Sequence, residues 1–241
     1  MRKHQLLLHP VRTLDLPKIA AGAVVALALL FGMAHDSSAR PSHFAPRASN
    51  FALLANAGVT STGGTITGDV GTFLSTPTGA ITLTGCPIMG TVHVGDGTAK
   101  MAFNDFTRAY TVLAPRLGEV SKELTGTLAG VSLAPGVYSF SSAATLTGVL
   151  TLNGPSNGVW IFKVGTGGTG ALTGTSFSVV MAGGAQASNV TWWVSQAATL
   201  TDSNFKGNLL AGAGITLTRG TFEGSASAKA DVTTTGTAVT R

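Results

Sequence analysis

The chain has 241 residues, of which only 10% are charged and 7% aromatic, while 32 are glycine. Its 15 lysines and arginines against 10 acids give a formal net charge of +5, but the basic residues are scattered, so the sequence gives no case for nucleic-acid binding. A single cysteine, Cys86, excludes an internal disulfide and is expected to be a buried small side chain. Glycine with abundant threonine and few long polar side chains favours a tightly wound all-β domain.

The first 39 residues are predicted to be a secretory signal peptide. Basic residues precede an apolar run at residues 19–34, and Ser37-Ser38-Ala39 is a small-x-small cleavage site. The run is shorter than the roughly 20 residues of a membrane-spanning helix, so secretion is preferred over the alternative of an uncleaved N-terminal anchor. Cleavage would leave 11 basic and 8 acidic residues, a net charge of +3. A linker is predicted at residues 40–50, followed by one domain at residues 51–241.

Two short phrases of alternating character come first in the domain, TITG at residues 65–68 and TLTG at residues 82–85. Each places an aliphatic residue between two threonines, which is the period-two pattern of a half-buried strand. We expect Leu83 to point inward and the flanking Thr82 and Thr84 to point outward.

An amphipathic helix is predicted from Thr98 to Ala114. Its apolar residues follow the i, i+3, i+4, i+7 spacing of one helix face, and they are Ala99, Ala102, Phe103, Phe106, Ala109, Tyr110 and Leu113. Asp96 or Thr98 can cap its start, and Pro115 ends it. We expect this helix to lie along the side of the domain and to cover one of its faces.

The phrase TLTG returns at residues 145–148, and longer versions follow at residues 171–179 (ALTGTSFSV), 199–207 (TLTDSNFKG) and 216–224 (TLTRGTFEG). The leucines are again expected inward and the flanking threonines or alanine outward. Each phenylalanine comes five residues after the leucine, where strict alternation would expose it, so we infer a corner at GTS, DSN and RGT. Successive phrases lie about 17 to 28 residues apart, in the range of a solenoid coil.

Six further segments carry motifs that are specific in combination. They are FALLANAGVTSTGGTITGDVG (51–71), the helix after HVGD (93–96), LAPGVYSF (133–140), NGVWIFKVG (157–165), GAQASNVTWWV (184–194) and TFEGSASA (221–228). Together they resemble the bacterial and fungal ice-binding protein family. The resemblance implies an all-β fold, a right-handed discontinuous β-solenoid of three faces with one long flanking α-helix (about 98–114). It also implies export, no cofactor and, in many members, adsorption to ice through one flat face.

The outward threonines are the candidate ice-binding residues. Residues two apart on a strand repeat at about 6.6 to 6.8 Å and neighbouring coils lie about 4.7 to 4.9 Å apart, so stacked TxT pairs form a grid with spacings near those of oxygens on ice lattice planes. With the Thr-Ala/Gly-x-Thr/Asn steps that the resemblance implies, the predicted set is Thr82, Thr84, Thr145, Thr147, Thr173, Thr175, Ser176, Thr199, Thr201, Ser203, Asn204, Thr216, Thr218 and Thr221. Asp202 and Arg219 depart from that pattern. They would interrupt a flat face if they project from it, and would do less harm if they turn away at the corner or pair with each other.

Three functions remain open from the sequence: ice binding, a non-catalytic cell-surface or adhesion solenoid, and a carbohydrate-active enzyme. An enzyme would need clustered catalytic groups, but His93 is the one histidine of residues 51–241. The acids Asp69, Asp96, Asp105, Glu119 and Glu123 would form a pair only if the fold brought them together. Asp96 is better explained as a helix cap, and Glu119 and Glu123 as solvated connector residues. We therefore expect a monomer that binds ice and has no enzymatic activity, cofactor, metal or small-molecule substrate.

Overall fold

The computed structural model describes residues 46–76 and 79–241, so the predicted signal peptide lies outside the described residues. The first strands are β1 (Phe51–Ala55), β2 (Gly58–Thr62), β3 (Thr65–Thr67), β4 (Asp69–Thr72), β5 (Ala80–Thr84), β6 (Ile88–Met89) and β7 (Val92–Val94). The helix α1 (Gly97–Leu113) comes next. It is followed by β8 (Lys122–Glu123), β9 (Val131–Leu133), β10 (Gly136–Phe140), β11 (Ala144–Asn153), β12 (Trp160–Val164), β13 (Leu172–Ala182), β14 (Val190–Val194), β15 (Ala198–Lys206), β16 (Asn208–Ala211), β17 (Ile215–Glu223), β18 (Ala226–Ala228) and β19 (Val232–Thr240). Short 3-10 helices lie at Ala48–Asn50 and Ala187–Asn189.

The strands form two parallel sheets wound around one core. One sheet has the order β7-β4-β1-β18-β16-β14-β12-β10-β8, and the other has the order β5-β2-β19-β17-β15-β13-β11-β9, with β3 pairing β19 and β6. The long strands β11, β13, β15, β17 and β19 bend at a corner, so the second sheet covers two sides of the stack. We call the first sheet the helix-covered face. The threonine face is β5, β2 and the first halves of the long strands, and the third face is β3, β6, β9 and the second halves. The predicted all-β solenoid with a flanking helix is confirmed.

The corners between the threonine face and the third face are made by residues with positive φ. They are Gly63, Gly85, Gly148, Ser176, Asp202, Arg219 and Gly236, with φ between +48° and +71°. This left-handed backbone conformation favours glycine, yet three of the corners carry a side chain. The reversal lets the residues that follow turn inward, and Phe177, Phe205 and Phe222 are at most 1% exposed. The corner that was predicted from the position of the phenylalanine in each repeat is therefore confirmed.

The order of strands along the stack is not their order along the chain. Strands β1 to β7 form one end of the stack, and after α1 the chain resumes at the opposite end with β8. It then winds back until β18 pairs with β1 and β19 pairs with β2. A helix of 17 residues is about 26 Å long, which corresponds to about five coil intervals of about 4.8 Å. Since eight intervals separate β7 from β8, α1 covers more than half of the distance along the stack, and residues 114–121 cover the rest.

The helix α1 packs its apolar side on the helix-covered face, as predicted. The side chain of Asp96 accepts a hydrogen bond from the backbone N–H of Ala99 at 2.8 Å, so Asp96 is the N-cap. The rings of Tyr110 and Trp193 are in tilted contact with 5.1 Å between their centroids, and the Trp193 Nε1 donates to the Tyr110 carbonyl at 2.9 Å. In the part of the chain that the structure describes, no helix has both the length and the apolar character needed to cross a bilayer.

A line of aromatic rings runs through the core from coil to coil. The ring centroids of Tyr138, Phe162, Trp192, Phe205 and Phe222 follow one another at 5.5, 3.9, 5.0 and 5.6 Å. Aromatic side chains bury large areas and have few rotatable bonds. The rings belong to the same buried cluster as the inward leucines of the threonine face, so they stiffen the core on which that face rests.

Candidate functional site

The threonine face carries two columns of threonine that run along the stack. In strand register, the first column is Thr145, Thr173, Thr199, Thr216, Thr233, Thr60 and Thr82. The second column is Thr175, Thr201, Thr218, Thr235, Thr62 and Thr84, preceded by Thr147 at a shift in register. All of these side chains are exposed or half-buried. Within the described residues, they make a grid that is two threonines wide and seven coils long.

Four threonines in the fifth and sixth of these seven coils were missed by the sequence prediction. Thr60 and Thr62 lie in GVTST of β2, and Thr233 and Thr235 lie in VTTT of β19. The repeated phrases were recognised by an aliphatic residue between two small ones, but here the middle residue is polar. The alternation of threonine itself was the signal that could have found them, since β19 and β2 join the grid through a pairing that the chain order does not suggest.

The polar residues between these threonines face the core and satisfy each other. Ser61 and Thr234 are fully buried, with 2.5 Å between their hydroxyl oxygens. The Ser61 hydroxyl also donates to the Cys86 Sγ at 3.0 Å, and Cys86 is buried as predicted. This buried cluster lies where β19, the last strand, meets β2 near the start of the domain.

The alignment expected for residues 171–179 is wrong by two residues. Register places Gly174, rather than Leu172, opposite Leu200 of the next coil. The outward pair of this coil is therefore Thr173 and Thr175, which oppose threonines of β15. A Cβ on Gly174 would lie 2.7 Å from the Leu200 Cδ2, so the leucine of the neighbouring coil already fills the space above this glycine.

Four predicted site residues lie outside the grid because the corner ends the alternation. Ser176 is at the corner itself, with φ of +48°. Ser203 is buried, and its Oγ makes hydrogen bonds of 2.9 and 3.2 Å with backbone groups. Asn204 and Thr221 are exposed but belong to the third face, where the Thr221 Oγ1 donates to the Asn204 Oδ1 at 2.9 Å. The expectation that these four share the surface of the outward threonines is wrong.

The two charged corner residues, Asp202 and Arg219, pair with each other across adjacent coils. The Arg219 Nε donates to Asp202 Oδ1 at 2.5 Å and the Arg219 Nη2 donates to Asp202 Oδ2 at 2.7 Å. This hydrogen bonding, together with the charge of the guanidinium, lowers the pKa of the Asp202 carboxyl below its usual value. Of the arrangements that the sequence left open, the structure has the paired one.

The other two faces differ from the threonine face in what they present outward. The helix-covered face lies under α1. The third face carries an ion pair between Lys206 and Glu223 and the half-exposed apolar side chains Val149 and Val180. The outward strand positions of the threonine face, in contrast, hold neutral hydroxyl and methyl groups in register. It is the face best suited to meet a flat, ordered surface.

Four of the five acids considered as catalytic candidates have separate partners. Asp96 bonds His93 at 2.7 Å, Asp105 pairs with Arg47 at 3.2 Å, Glu119 pairs with Lys163, and Asp69 accepts from the Thr91 N–H at 2.8 Å. Glu119 is itself exposed, as expected of a connector residue, although the Lys163 side chain with which it pairs is only 5% exposed. Among residues 46–76 and 79–241, no three side chains of His, Cys, Asp or Glu converge as metal ligands would.

Comparison with known proteins places this geometry in one family. The family model described as Ice-binding-like matches residues 53–240. An ice-binding protein of Nostoc sp. (strain HG1) is 40% identical over 178 residues, covering 72% of this chain and 63% of the relative. One from Flavobacterium frigoris (strain PS1) is 36% identical over 186 residues, covering 70% and 65%. This chain therefore spans slightly less than two thirds of the length of these curated relatives.

A solved structure supports the same assignment. The crystal structure of an ice-binding protein from the Antarctic ascomycete Antarctomyces psychrotrophicus superposes with a TM-score of 0.71 and 36% sequence identity, covering 80% of this chain and 95% of that one. The family match includes both columns of threonine, and the identity to the Nostoc relative extends over most of the domain. The chain belongs to the ice-binding-like family.

Proposed function

We propose that this protein adsorbs to ice through its threonine face, and thereby lowers the freezing temperature locally and inhibits recrystallisation. The observation that carries the proposal is the grid of threonine, which is in strand register over seven coils in the first column and over six in the second. The names of the relatives support the same function. Because the whole grid lies within one chain, a monomer is sufficient for binding, and no cofactor or catalytic group is required.

The grid spacing explains how such a face can order water. Threonines two apart on a strand are separated by about 6.6 to 6.8 Å, and coils by about 4.7 to 4.9 Å. Each threonine presents a hydroxyl that can replace one water and a methyl that orders water around it. Side chains that are β-branched are stiff at χ1, and the aromatic core supports the backbone below. Little side-chain entropy is therefore lost when ice is bound.

The magnitude of binding depends on the grid acting as a whole. A methyl-sized group removed from bulk water contributes about 0.8 kcal/mol, so two columns over seven coils contribute on the order of 11 kcal/mol. Immobilising a protein on a surface costs an estimated 4–15 kcal/mol, roughly the same size. Adsorption therefore requires most of the threonines to touch the ice together. Molecules held in this way pin the growth front, and the ice between them curves.

The location of the protein follows from the same proposal. We infer that the signal peptide at residues 1–39 directs export, so that residues 40–241 meet ice outside the cell.

The first test of ice binding is to observe a single ice crystal in a solution of residues 40–241. Faceted shaping and a gap between the melting and freezing temperatures are expected. A crystal that stays a smooth disc and grows as soon as the temperature falls below the melting temperature would refute the proposed function.

A matched pair of substitutions tests the face. Thr216→Tyr places a bulky ring in the middle coil of the grid, and Thr221→Tyr places the same ring on the third face of the same strand. We expect Thr216→Tyr to lose most of the thermal hysteresis, because the ring lifts neighbouring threonines away from the ice. Thr221→Tyr should keep it, and both variants should melt within a few degrees of the wild type. Equal hysteresis in the two variants would contradict the assignment of the threonine face.

A further inference from the structure

We propose that the ion pair between Asp202 and Arg219 keeps a long cationic side chain off the ice-binding surface. This inference rests on the function proposed above. The two residues occupy equivalent corner positions in adjacent coils, because Thr201 opposes Thr218 and Ser203 opposes Gly220. Each therefore directly follows a member of the second threonine column. The positions of these two side chains therefore determine whether a charged group lies over the edge of the grid.

The composition of the other corners indicates what this edge requires. Glycine occupies the corner of four coils and serine the corner of one, namely Gly63, Gly85, Gly148, Gly236 and Ser176. None of these carries a long or charged side chain. Arg219 is thus the one large group at the border of the grid within the described residues. A free guanidinium there would sweep over the neighbouring threonines with its bound water.

The geometry of the pair removes this interference. Two parallel hydrogen bonds of 2.5 and 2.7 Å hold the guanidinium in the plane of the carboxylate, an arrangement with strong directional preference. Since the two residues are equivalent in neighbouring coils, the pair runs from coil to coil along the corner rather than across the face. Both also have positive φ, +50° and +58°, so their side chains leave the backbone in similar directions.

The exposure of the second column agrees with a pair that stays within its own two coils. Thr201 and Thr218, which precede the paired residues, are half-buried, whereas Thr175 and Thr235, their column neighbours in the coils on either side, remain exposed. An exposed ion pair adds little to stability, so stability alone does not explain why two coils carry charged residues at a position that favours glycine. Asp202 is therefore a positioning residue, which acts on the threonine face through Arg219.

The test uses three variants of the mature chain: Asp202→Asn, Arg219→Gly and the double variant. Asparagine has the size of aspartate and tolerates positive φ, but it offers the guanidinium one uncharged acceptor oxygen in place of the two charged oxygens of aspartate. We expect D202N to lose at least half of the wild-type thermal hysteresis at equal concentration. R219G and the double variant should equal or exceed the wild type. Melting temperatures should agree within about 3 °C, because the pair is exposed.

The rescue is the decisive result, since a purely structural effect of D202N would persist in the double variant. Exchange of the Arg219 Hε proton, followed by NMR, should be slow in the wild type and several-fold faster in D202N. If D202N keeps full hysteresis, or if the double variant remains as weak as D202N, the inference is wrong while the proposed function stands. If the wild type neither shapes ice nor shows hysteresis, the proposed function fails and this inference fails with it.

Discussion

The buried hydroxyl pair between β19 and β2 leads to a prediction about the free energy of unfolding. Ser61 and Thr234 are fully buried, and their oxygens lie 2.5 Å apart. We consider the change Ser61→Ala. Thr234 then keeps its hydroxyl but loses the side-chain partner that the structure gives it among the described residues. The reciprocal change, Thr234→Val, leaves Ser61 free to donate to the Cys86 Sγ at 3.0 Å.

The expected magnitudes follow from this asymmetry. A buried hydroxyl left without a partner costs about 1–3 kcal/mol, whereas replacing both partners with apolar groups of similar shape is nearly neutral. Ser61→Ala should therefore lower the free energy of unfolding by about 1–3 kcal/mol. Thr234→Val should cost less, and the double variant Ser61→Ala/Thr234→Val should cost less than Ser61→Ala alone. Residues in one hydrogen-bonded network typically couple by about 0.5–3 kcal/mol.

Urea unfolding of the wild type, both single variants and the double variant provides the measurement. The slope of free energy against urea must stay constant across the set, because the comparison assumes the same surface exposed on unfolding. If Ser61→Ala is no more destabilising than the double variant, the Thr234 hydroxyl does not depend on Ser61 for its hydrogen bond, and the reasoning is refuted. The thermal hysteresis of the same four proteins can also be compared. Unchanged hysteresis in the double variant would show that the threonine columns remain in register where β19 pairs with β2.

Two further predictions concern the helix cap and the packing of one coil. Hydrogen bonds from the Ala99 N–H and from His93 lower the pKa of Asp96 below its usual value. The charge of Asp96 therefore stabilises the fold at pH values above the usual aspartate pKa of about 4, and this contribution is lost as the pH falls through the lowered pKa. Asp96→Ala should cost about 1 kcal/mol of unfolding free energy at pH 7. Asparagine is an equally good cap without the charge, so the difference in unfolding free energy between the wild type and Asp96→Asn should disappear in acid. A difference that persists at pH 2 would contradict this prediction. Gly174→Ala should destabilise by about 1–3 kcal/mol, because the new Cβ would lie 2.7 Å from the Leu200 Cδ2. Thermal unfolding measures this cost, and a variant as stable as the wild type would show that Leu200 can move aside freely.

The sequence alone determined the features that depend on neighbouring residues. Threonine alternating with leucine predicts strands with one face outward, because side chains on a strand alternate between its two sides. The phase of Phe177, Phe205 and Phe222 predicts the corner, since large aromatic side chains are rarely left exposed at every repeat. The apolar spacing of residues 98–114 and the preceding Asp96 predict the helix and its cap. Each of these signals lies within one coil or one helix.

Only the tertiary structure decided which coils lie side by side. The pairing of β19 with β2 joins residues such as Ser61 and Thr234, 173 positions apart in the chain, and it brings Thr60, Thr62, Thr233 and Thr235 into the grid. Register between coils depends on how their inward side chains fit together, as Gly174 fits under Leu200, and alternation within a strand carries no information about this. The pairing of Asp202 with Arg219 likewise depends on two corners becoming neighbours. The outward direction of a threonine is a local property, but the grid exists only when distant coils stack in register.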